Sequence, residues 1–340
     1  MKAALWLGKG KIEVASIEKP LPGRSEVLLR VLTAGICGTD LSIYAGKFDP
    51  KRSVPPMVPG HEICGVIEAL GADVSGWSVG ERVAVNPLIS CGTCYACRSG
   101  FPHVCRTLKL IGVDRNGGFA QHVTAGAHQL YRLPEGVSDI AGAMVEPVSV
   151  AVHDYRMSRL AVGGTALVIG AGPIGILIAM VARRAGARRI VLSEVNEYRL
   201  GVARDLGFDA RHPAQERFRE GIVSDFDGVG PDVAFEVTGS AAGYQAAIDS
   251  VRVRGTVVQV GIPHGGMSTD LRRINFAELS IVGTRVYEPL DYVTAIDLLA
   301  GGAIAADAVS STHELAECGT LFAELTEGTA RRMKPIFRIG

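Results

Sequence analysis

No sign of charge dominates this chain. Across 340 residues, 35 Lys and Arg stand against 35 Asp and Glu, so the formal net charge is zero. A polyanion partner such as a nucleic acid calls for a basic face, so none is expected. The opening segment, MKAALWLGKGKIEV, has too short an apolar run and too early a charge for a secretory leader. Internal repeats and low-complexity segments are missing. A disulfide framework is missing too, because four of the seven cysteines crowd into one short segment. That usage fits a reducing, cytoplasmic setting. One run imitates a membrane span: Thr165–Ala182 carries no charge over 18 residues. Gly170, Gly172, Pro173 and Gly175 fall at its centre, where they would break a single helix. The run is therefore expected to be a strand, a turn and a helix.

What is present begins with Cys91, Cys94, Cys97 and Cys105, spaced C-x2-C-x2-C-x7-C. A loop this short gathers four thiols for a metal rather than for a core, and four thiolates complete one tetrahedral zinc. A nucleic-acid-binding zinc ribbon is the competing reading, but only Arg98, Arg106 and Lys109 lie nearby on a neutral chain. Cys64 and Cys318 read as inert buried thiols.

The length suits about two domains, and an apolar fraction of 47% supports buried cores. The first ~150 residues read as short strands (Glu26–Leu32, Gly65–Leu70, Arg82–Val85) broken by Gly- and Pro-rich turns. From about Val162 the texture changes to alternation. Strands are expected at Thr165–Gly170, Arg189–Ser193, Asp232–Val237, Gly255–Val260 and Ser280–Gly283. Helices are expected at Pro173–Arg184, Glu197–Leu206 and Ala241–Val251. This pattern means an α/β fold with a doubly wound parallel sheet, a Rossmann domain. One more helix, Leu290–Leu299, precedes a tail ending in the strand-like KPIFRI.

Gly170-Ala171-Gly172-Pro173-Ile174-Gly175 is a G-x-G-x-x-G between strand and helix. The first glycine makes the turn, the second admits a pyrophosphate, and the third lets helix and sheet pack closely. The helix N-terminus offers free N–H groups to the phosphates. Glu194, at the end of the second strand, would accept the adenosine ribose hydroxyls and repel a 2′-phosphate, which favours NAD. Arg199 nearby is the feature that would instead suit NADP. Val237, Thr238, Val260, Gly261 and Ile262, at the ends of the later strands, are further expected cofactor contacts.

Cys37-Gly38-Thr39-Asp40 and Gly60-His61-Glu62 lie on turns of the strand-rich part, and Glu146-Pro147 sits just before the nucleotide half. Singly, Cys37 reads as a buried thiol, His61 as a loop histidine and Glu146 as a helix N-terminal charge. Together they supply a thiolate, an imidazole and carboxylates, a plausible zinc shell with a position left for substrate.

The motifs CGTD, GHE, the four-cysteine lobe, EPVSVAVH and GAGPIG occur in this order and span essentially the whole chain. The sequence resembles the zinc-containing medium-chain dehydrogenases. The likeness is greatest to the sorbitol, threonine, galactitol and butanediol branch, because Glu146 stands where primary-alcohol enzymes carry a second zinc-binding cysteine. The resemblance implies a GroES-like β-rich catalytic domain from residues 1–149 and 286–340, with a structural-zinc lobe at about 88–108. The Rossmann NAD-binding domain would be residues 150–285. Catalytic zinc would be held by Cys37 and His61, with Glu62 and Glu146 as third and fourth partners in either order, and Asp40 would orient His61. Zinc would act as a Lewis acid on the substrate hydroxyl, Thr39 would take the proton, and hydride would pass to the nicotinamide. A second, closed zinc would sit on the four cysteines. A homodimer or homotetramer is implied as well.

Ser42 occupies a position where many relatives end the proton relay in His, so the relay here would finish in water. Leu88 stands where threonine dehydrogenases carry His, which argues against an amino-acid substrate. Val286 replaces the Arg that sorbitol dehydrogenases tend to place before the aromatic matching Tyr287, and Arg285 lies one residue earlier. Tyr44, Phe119 and Tyr287 are candidate pocket walls. The function expected is oxidation of a secondary alcohol in a polyol, cyclitol or vicinal diol with NAD. The alternatives are an L-threonine 3-dehydrogenase-type enzyme and a non-enzymatic protein that keeps the fold. The intact ligand set weighs against the second.

Overall fold

The structure is a computed structural model that describes residues 1–215, 218–263, 265–266, 268–269 and 271–340. It contains two compact units, Met1–Glu146 with Glu288–Gly340, and Pro147–Tyr287.

The first unit is β-rich. Its main sheet runs, in spatial order, Ser310–Glu314, Lys334–Arg338, Glu26–Gly35, Glu62–Leu70, Arg82–Val85 and Leu130–Arg132, and His122–Gly126 also pairs with Glu26–Gly35. Glu26–Gly35 is the longest strand and nearly all buried (EVLLRVLTAG). It pairs antiparallel with Glu62–Leu70, and the register puts Gly35 opposite Glu62. The C-terminal strand returns beside it, Ile336 facing Gly35. Chain segments some 300 positions apart thus meet at Gly35 and Ile36, where Lys334 reaches the Ile36 carbonyl across a sequence separation of 298. The core holds Val27, Leu29, Val31, Ile63, Phe119, Phe322 and Phe337, among others.

The second unit is a six-stranded parallel sheet. Its spatial order is Asp209–Arg211, Arg189–Ser193, Thr165–Ile169, Val233–Glu236, Thr256–Gln259, Ser280–Gly283. Chain order reverses direction between Thr165–Ile169 and Val233–Glu236, the switch point at which open α/β sheets bind ligands beyond the strand carboxyl ends. Thr165–Ile169 is wholly buried, as a central parallel strand covered on both faces must be. Asp232 secures its start: one carboxylate oxygen accepts from the Thr165 N–H (2.8 Å) and hydroxyl (2.9 Å), the other from Arg252 Nε (2.6 Å).

The charge-free run is divided as expected into the strand Thr165–Ile169 and the helix Pro173–Arg184. Among the described residues no helix is long and apolar enough to cross a membrane. Glu146 and Pro147 sit where the first unit gives way to the second, inside a 20-residue helix, Asp139–Ser158, that the sequence pattern does not announce. Proline forfeits one i→i−4 bond there, and that is why the helix was not read from the sequence.

Candidate functional site

Two turns of the first unit build the metal-type cluster. Cys37 caps the helix Gly38–Tyr44, and Glu62 opens the core strand Glu62–Leu70 with His61 immediately before it. Cys37 Sγ, a His61 ring nitrogen and a Glu62 carboxylate oxygen all lie within 4.8 Å of one another. Asp40 ties the turns together from beneath. It is fully buried; one of its oxygens accepts from the Cys37 N–H (2.9 Å) and the other from the Gly60 N–H (3.1 Å). Its distance to His61 Nδ1 is 3.7 Å, so it steers the imidazole by charge and by placing the turns rather than through a close hydrogen bond. Burial opposes protonation of His61, but the Asp40 carboxylate and Cys37 outweigh it and hold the imidazole well above its usual value. Gly60 needs its positive φ of 95° and its missing side chain, because a Cβ would meet the Phe119 ring at 2.6 Å. Phe119 is therefore a fully buried buttress under this turn, edge-on to Phe337, and not a pocket wall.

Glu62 is held by a residue the sequence reading did not single out. The buried Lys334 ammonium pairs with Glu62 Oε1 and donates to the Ile36 carbonyl (2.9 Å). Burial opposes that charge, but Glu62, with the charges of Cys37 and Glu146, outweighs it and raises the Lys334 pKa. Glu62 Oε2 is buried and has no hydrogen-bond partner among the described residues, packed where a Cβ on Gly35 would approach it to 2.0 Å. The set of thiol, imidazole and a carboxylate oxygen with no hydrogen bond is the N, S and O chemistry that zinc takes, so these residues fit the implied ion. Glu146 is buried in its helix, outside that trio, and near enough to act on Lys334 and Tyr292 by charge.

Thr39 is half-buried, and among the described residues its hydroxyl makes no hydrogen bond with the protein. Ser42 behaves differently, because its hydroxyl donates to the Gly38 carbonyl (3.1 Å) and so is spent within its own helix.

Cys91, Cys94, Cys97 and Cys105 also bring their sulfurs within 4.8 Å of one another. Cys94 to Cys97 is 3.5 Å, Cys94 to Cys105 is 3.9 Å and Cys91 to Cys97 is 4.0 Å. A disulfide would need about 2 Å, whereas four zinc–sulfur bonds of about 2.3 Å set the sulfurs roughly 3.8 Å apart. The Thr93 amide, with its hydroxyl and the Cys94 N–H, holds the Cys91 thiol down to about 5, which favours the ligating thiolate.

The cofactor-type loop lies in the second unit. Gly170 turns at φ 100° and donates to the Ser193 carbonyl (2.8 Å). Gly172 caps the helix that Pro173 and Ile174 begin. A Cβ on Gly175 would strike the Gly170 carbonyl at 1.9 Å, so this third glycine is what lets helix and strand close. Glu194 is buried beside the loop. Its Oε2 accepts from the Ala171 N–H (2.9 Å), and its Oε1 from the Val195 (2.8 Å) and Asn196 (2.9 Å) N–H groups. The Arg199 guanidinium stands 3.9 Å from that carboxylate, and a Cβ on Gly172 would lie 3.6 Å from it. Val237 and Thr238 follow one central strand, and Val260, Gly261 and Ile262 follow the next. Tyr287 is buried, Tyr44 packs on Phe322 and Arg285 is exposed.

The chain matches the alcohol dehydrogenase GroES-like domain model over residues 23–135 and the zinc-binding dehydrogenase model over residues 173–301. It is 40% identical over 338 residues to a 2-dehydro-3-deoxy-L-galactonate 5-dehydrogenase of Pseudoalteromonas atlantica, covering 99% of this chain and 98% of that one. It is 35% identical to an L-threonine 3-dehydrogenase of Deinococcus deserti over 83% of this chain and 80% of that one. Among solved structures, a protein of Sinorhizobium meliloti 1021, described as a zinc-binding dehydrogenase and bound to NADP, superposes with a TM-score of 0.91 at 30% identity. The match covers 99% of this chain and 98% of that one.

Proposed function

This chain belongs to the zinc-containing medium-chain dehydrogenases, and we propose that it moves hydride between NAD and a secondary hydroxyl of a polyhydroxy compound. The substrate is a polyol, cyclitol, vicinal diol or polyhydroxy acid. The observation that carries this reading is the Cys37–His61–Glu62 group with its buried, unpartnered carboxylate oxygen, on a chain that also has the complete dinucleotide loop. A relative matched over nearly its whole length bears the name 2-dehydro-3-deoxy-L-galactonate 5-dehydrogenase, and carbon 5 of a six-carbon sugar acid carries a secondary hydroxyl.

Cys37 and His61 would hold the catalytic zinc, with Glu62 or Glu146 completing the set, and the four-cysteine lobe would hold the structural one. Bound there, zinc supplies Lewis-acid polarisation of an alcohol oxygen, and the nicotinamide ring supplies the hydride acceptor. Asp40 keeps the Cys37 and Gly60 turns in register, so the donors converge without rearrangement. Lys334 restrains one Glu62 oxygen and leaves the other available. The uncommitted Thr39 hydroxyl takes the alcohol proton, and solvent rather than the internally bonded Ser42 receives it next. The alcohol loses a proton from oxygen and a hydride from carbon and becomes the ketone. The Gly170–Gly175 loop and the following helix N-terminus bind the pyrophosphate. Glu194, with a charge beside the ribose position, favours NAD over NADP, and Arg199 limits that preference.

An L-threonine 3-dehydrogenase reading is favoured by the second relative and opposed by Leu88. The test is NAD reduction by zinc-loaded protein across polyols, cyclitols, diols, polyhydroxy acids and L-threonine. Turnover with a polyhydroxy compound well above that with threonine supports the proposal, and threonine as the best substrate overturns it.

A further inference from the structure

Glu236 is a fully buried carboxylate at the last position of the strand Val233–Glu236, and neither metal nor proton chemistry accounts for it. Four donors converge on it. Oε1 accepts from the Thr238 N–H (2.8 Å) and the Thr238 hydroxyl. Oε2 accepts from the Gly239 N–H (2.9 Å) and from Gln259 Nε2 (2.7 Å). The same Gln259 amide donates to the Gly261 carbonyl (2.7 Å), and the Glu236 carbonyl receives the Val260 and Gly261 N–H groups, each at 2.9 Å. One residue thus sets the course of two loops, those leaving the strands Val233–Glu236 and Thr256–Gln259.

The loops touch backbone to backbone. A Cβ on Gly261 would meet Gly239 N at 2.1 Å, and one on Gly239 would meet the Ile262 carbonyl at 2.6 Å. The atoms that face each other at these two glycines are backbone, which cannot give way as the end of a side chain can. The network also reaches the phosphate loop, because the Thr238 methyl stands 2.9 Å from where a Gly170 Cβ would be. Both loops leave the carboxyl ends of strands on the far side of the switch point from Glu194. A dinucleotide whose adenosine half lies at Glu194 must lay its other half across them.

We propose that Glu236, acting through Gln259, is a positioning residue for the nicotinamide half of the cofactor. Its carboxylate fixes the height and spacing of the Val237–Ser240 and Val260–Ile262 segments. This rests on the proposed NAD function. Glu236→Gln would turn an amide toward N–H donors that need an acceptor, loosening both loops, while Glu194 keeps its own backbone donors, none of which belongs to this network.

The experiment compares NADH and 5′-AMP binding to zinc-loaded wild type, Glu236→Gln and Gln259→Met by calorimetry. The account expects Glu236→Gln to weaken NADH by about ten-fold or more, the scale of one or two lost charged hydrogen bonds. 5′-AMP, which carries only the adenosine half, should stay within about two-fold. Gln259→Met keeps the Thr238 and Gly239 N–H bonds to the carboxylate and removes only the side-chain amide that ties Glu236 to the Gly261 carbonyl. It should show the same selective loss in smaller measure, and it decides the matter if Glu236→Gln does not fold. Equal weakening of NADH and 5′-AMP would reduce Glu236 to a general structural role, and unchanged NADH binding in both variants would overturn the inference. Failure of wild type to bind NADH would instead refute the cofactor reading itself.

Discussion

Lys334 takes a positive charge into the interior, and its partner Glu62 lies 272 positions away in sequence. Removing one member of a buried pair leaves the other charge without compensation, at a cost of about 3–5 kcal/mol. Lys334→Met should therefore lower the stability of the first unit by about that amount in urea unfolding, and a loss below about 1 kcal/mol would show the pair to be dispensable. Cys64 is the opposite case, a thiol with no chemistry. Burial, reinforced by Asp139, pushes it up to about 12, so the native protein should leave it unalkylated at mildly alkaline pH and expose it only on unfolding. Early labelling of Cys64, read by mass spectrometry, would contradict that. At the cofactor loop, Glu194→Ala should shift kcat/KM toward NADP by about ten-fold or more, the size of one charge repulsion removed. Adding Arg199→Ala should take part of that gain back.

These residues were not equally legible. The four lobe cysteines, the three glycines and Glu194 act at short sequence separation, so their spacing alone declares the geometry. Lys334 offers no such signal. A lysine opening an apolar strand reads as an edge cation, and only the pairing of the C-terminal strand beside Gly35 buries it. Phe119 failed as a pocket wall for the same reason, because its neighbours Phe322 and Phe337 come from the distant tail.

At the scale of elements, the parallel sheet was legible through strand–helix alternation, while the short strand Asp209–Arg211 and the helix Asp139–Ser158 were not. The first has three residues, and the second hides behind Pro147. The Asp232 latch at the start of Thr165–Ile169 gives a pH test. Burial alone would raise the Asp232 pKa, but bonds from Arg252 and Thr165 outweigh it and hold it below the ordinary 3.8. Folding therefore favours the ionised form. The stabilisation is complete above the unfolded pKa and is lost as pH falls through the lower folded value. Asp232→Asn should cost about 1–2 kcal/mol near neutrality, and its deficit relative to wild type should shrink as pH falls below the ordinary carboxylate range. A deficit independent of pH would mean the latch works by shape alone. If the cysteine lobe holds one of two zinc ions as proposed, Cys94→Ser should lower the measured zinc content from two per chain to one and lower Tm, and an unchanged content would contradict it.

At the scale of the molecule, each unit carries one half of the proposed chemistry: the Cys37–His61–Glu62 group in the first and the Gly170–Gly175 loop in the second. Family membership and fold were readable from motif order, because those motifs are short, ordered along the chain and span nearly all of it. The substrate was not readable, because its pocket is assembled from side chains whose neighbours the sequence does not declare. The central claim is tested most directly by NADH formation from a panel of polyols, cyclitols, diols, polyhydroxy acids and L-threonine, using protein whose zinc content has been measured. The account predicts turnover of at least one polyhydroxy compound well above threonine, lost in Cys37→Ser and on chelation. Zinc-loaded protein that forms no NADH with any of them, or that prefers threonine, would contradict it.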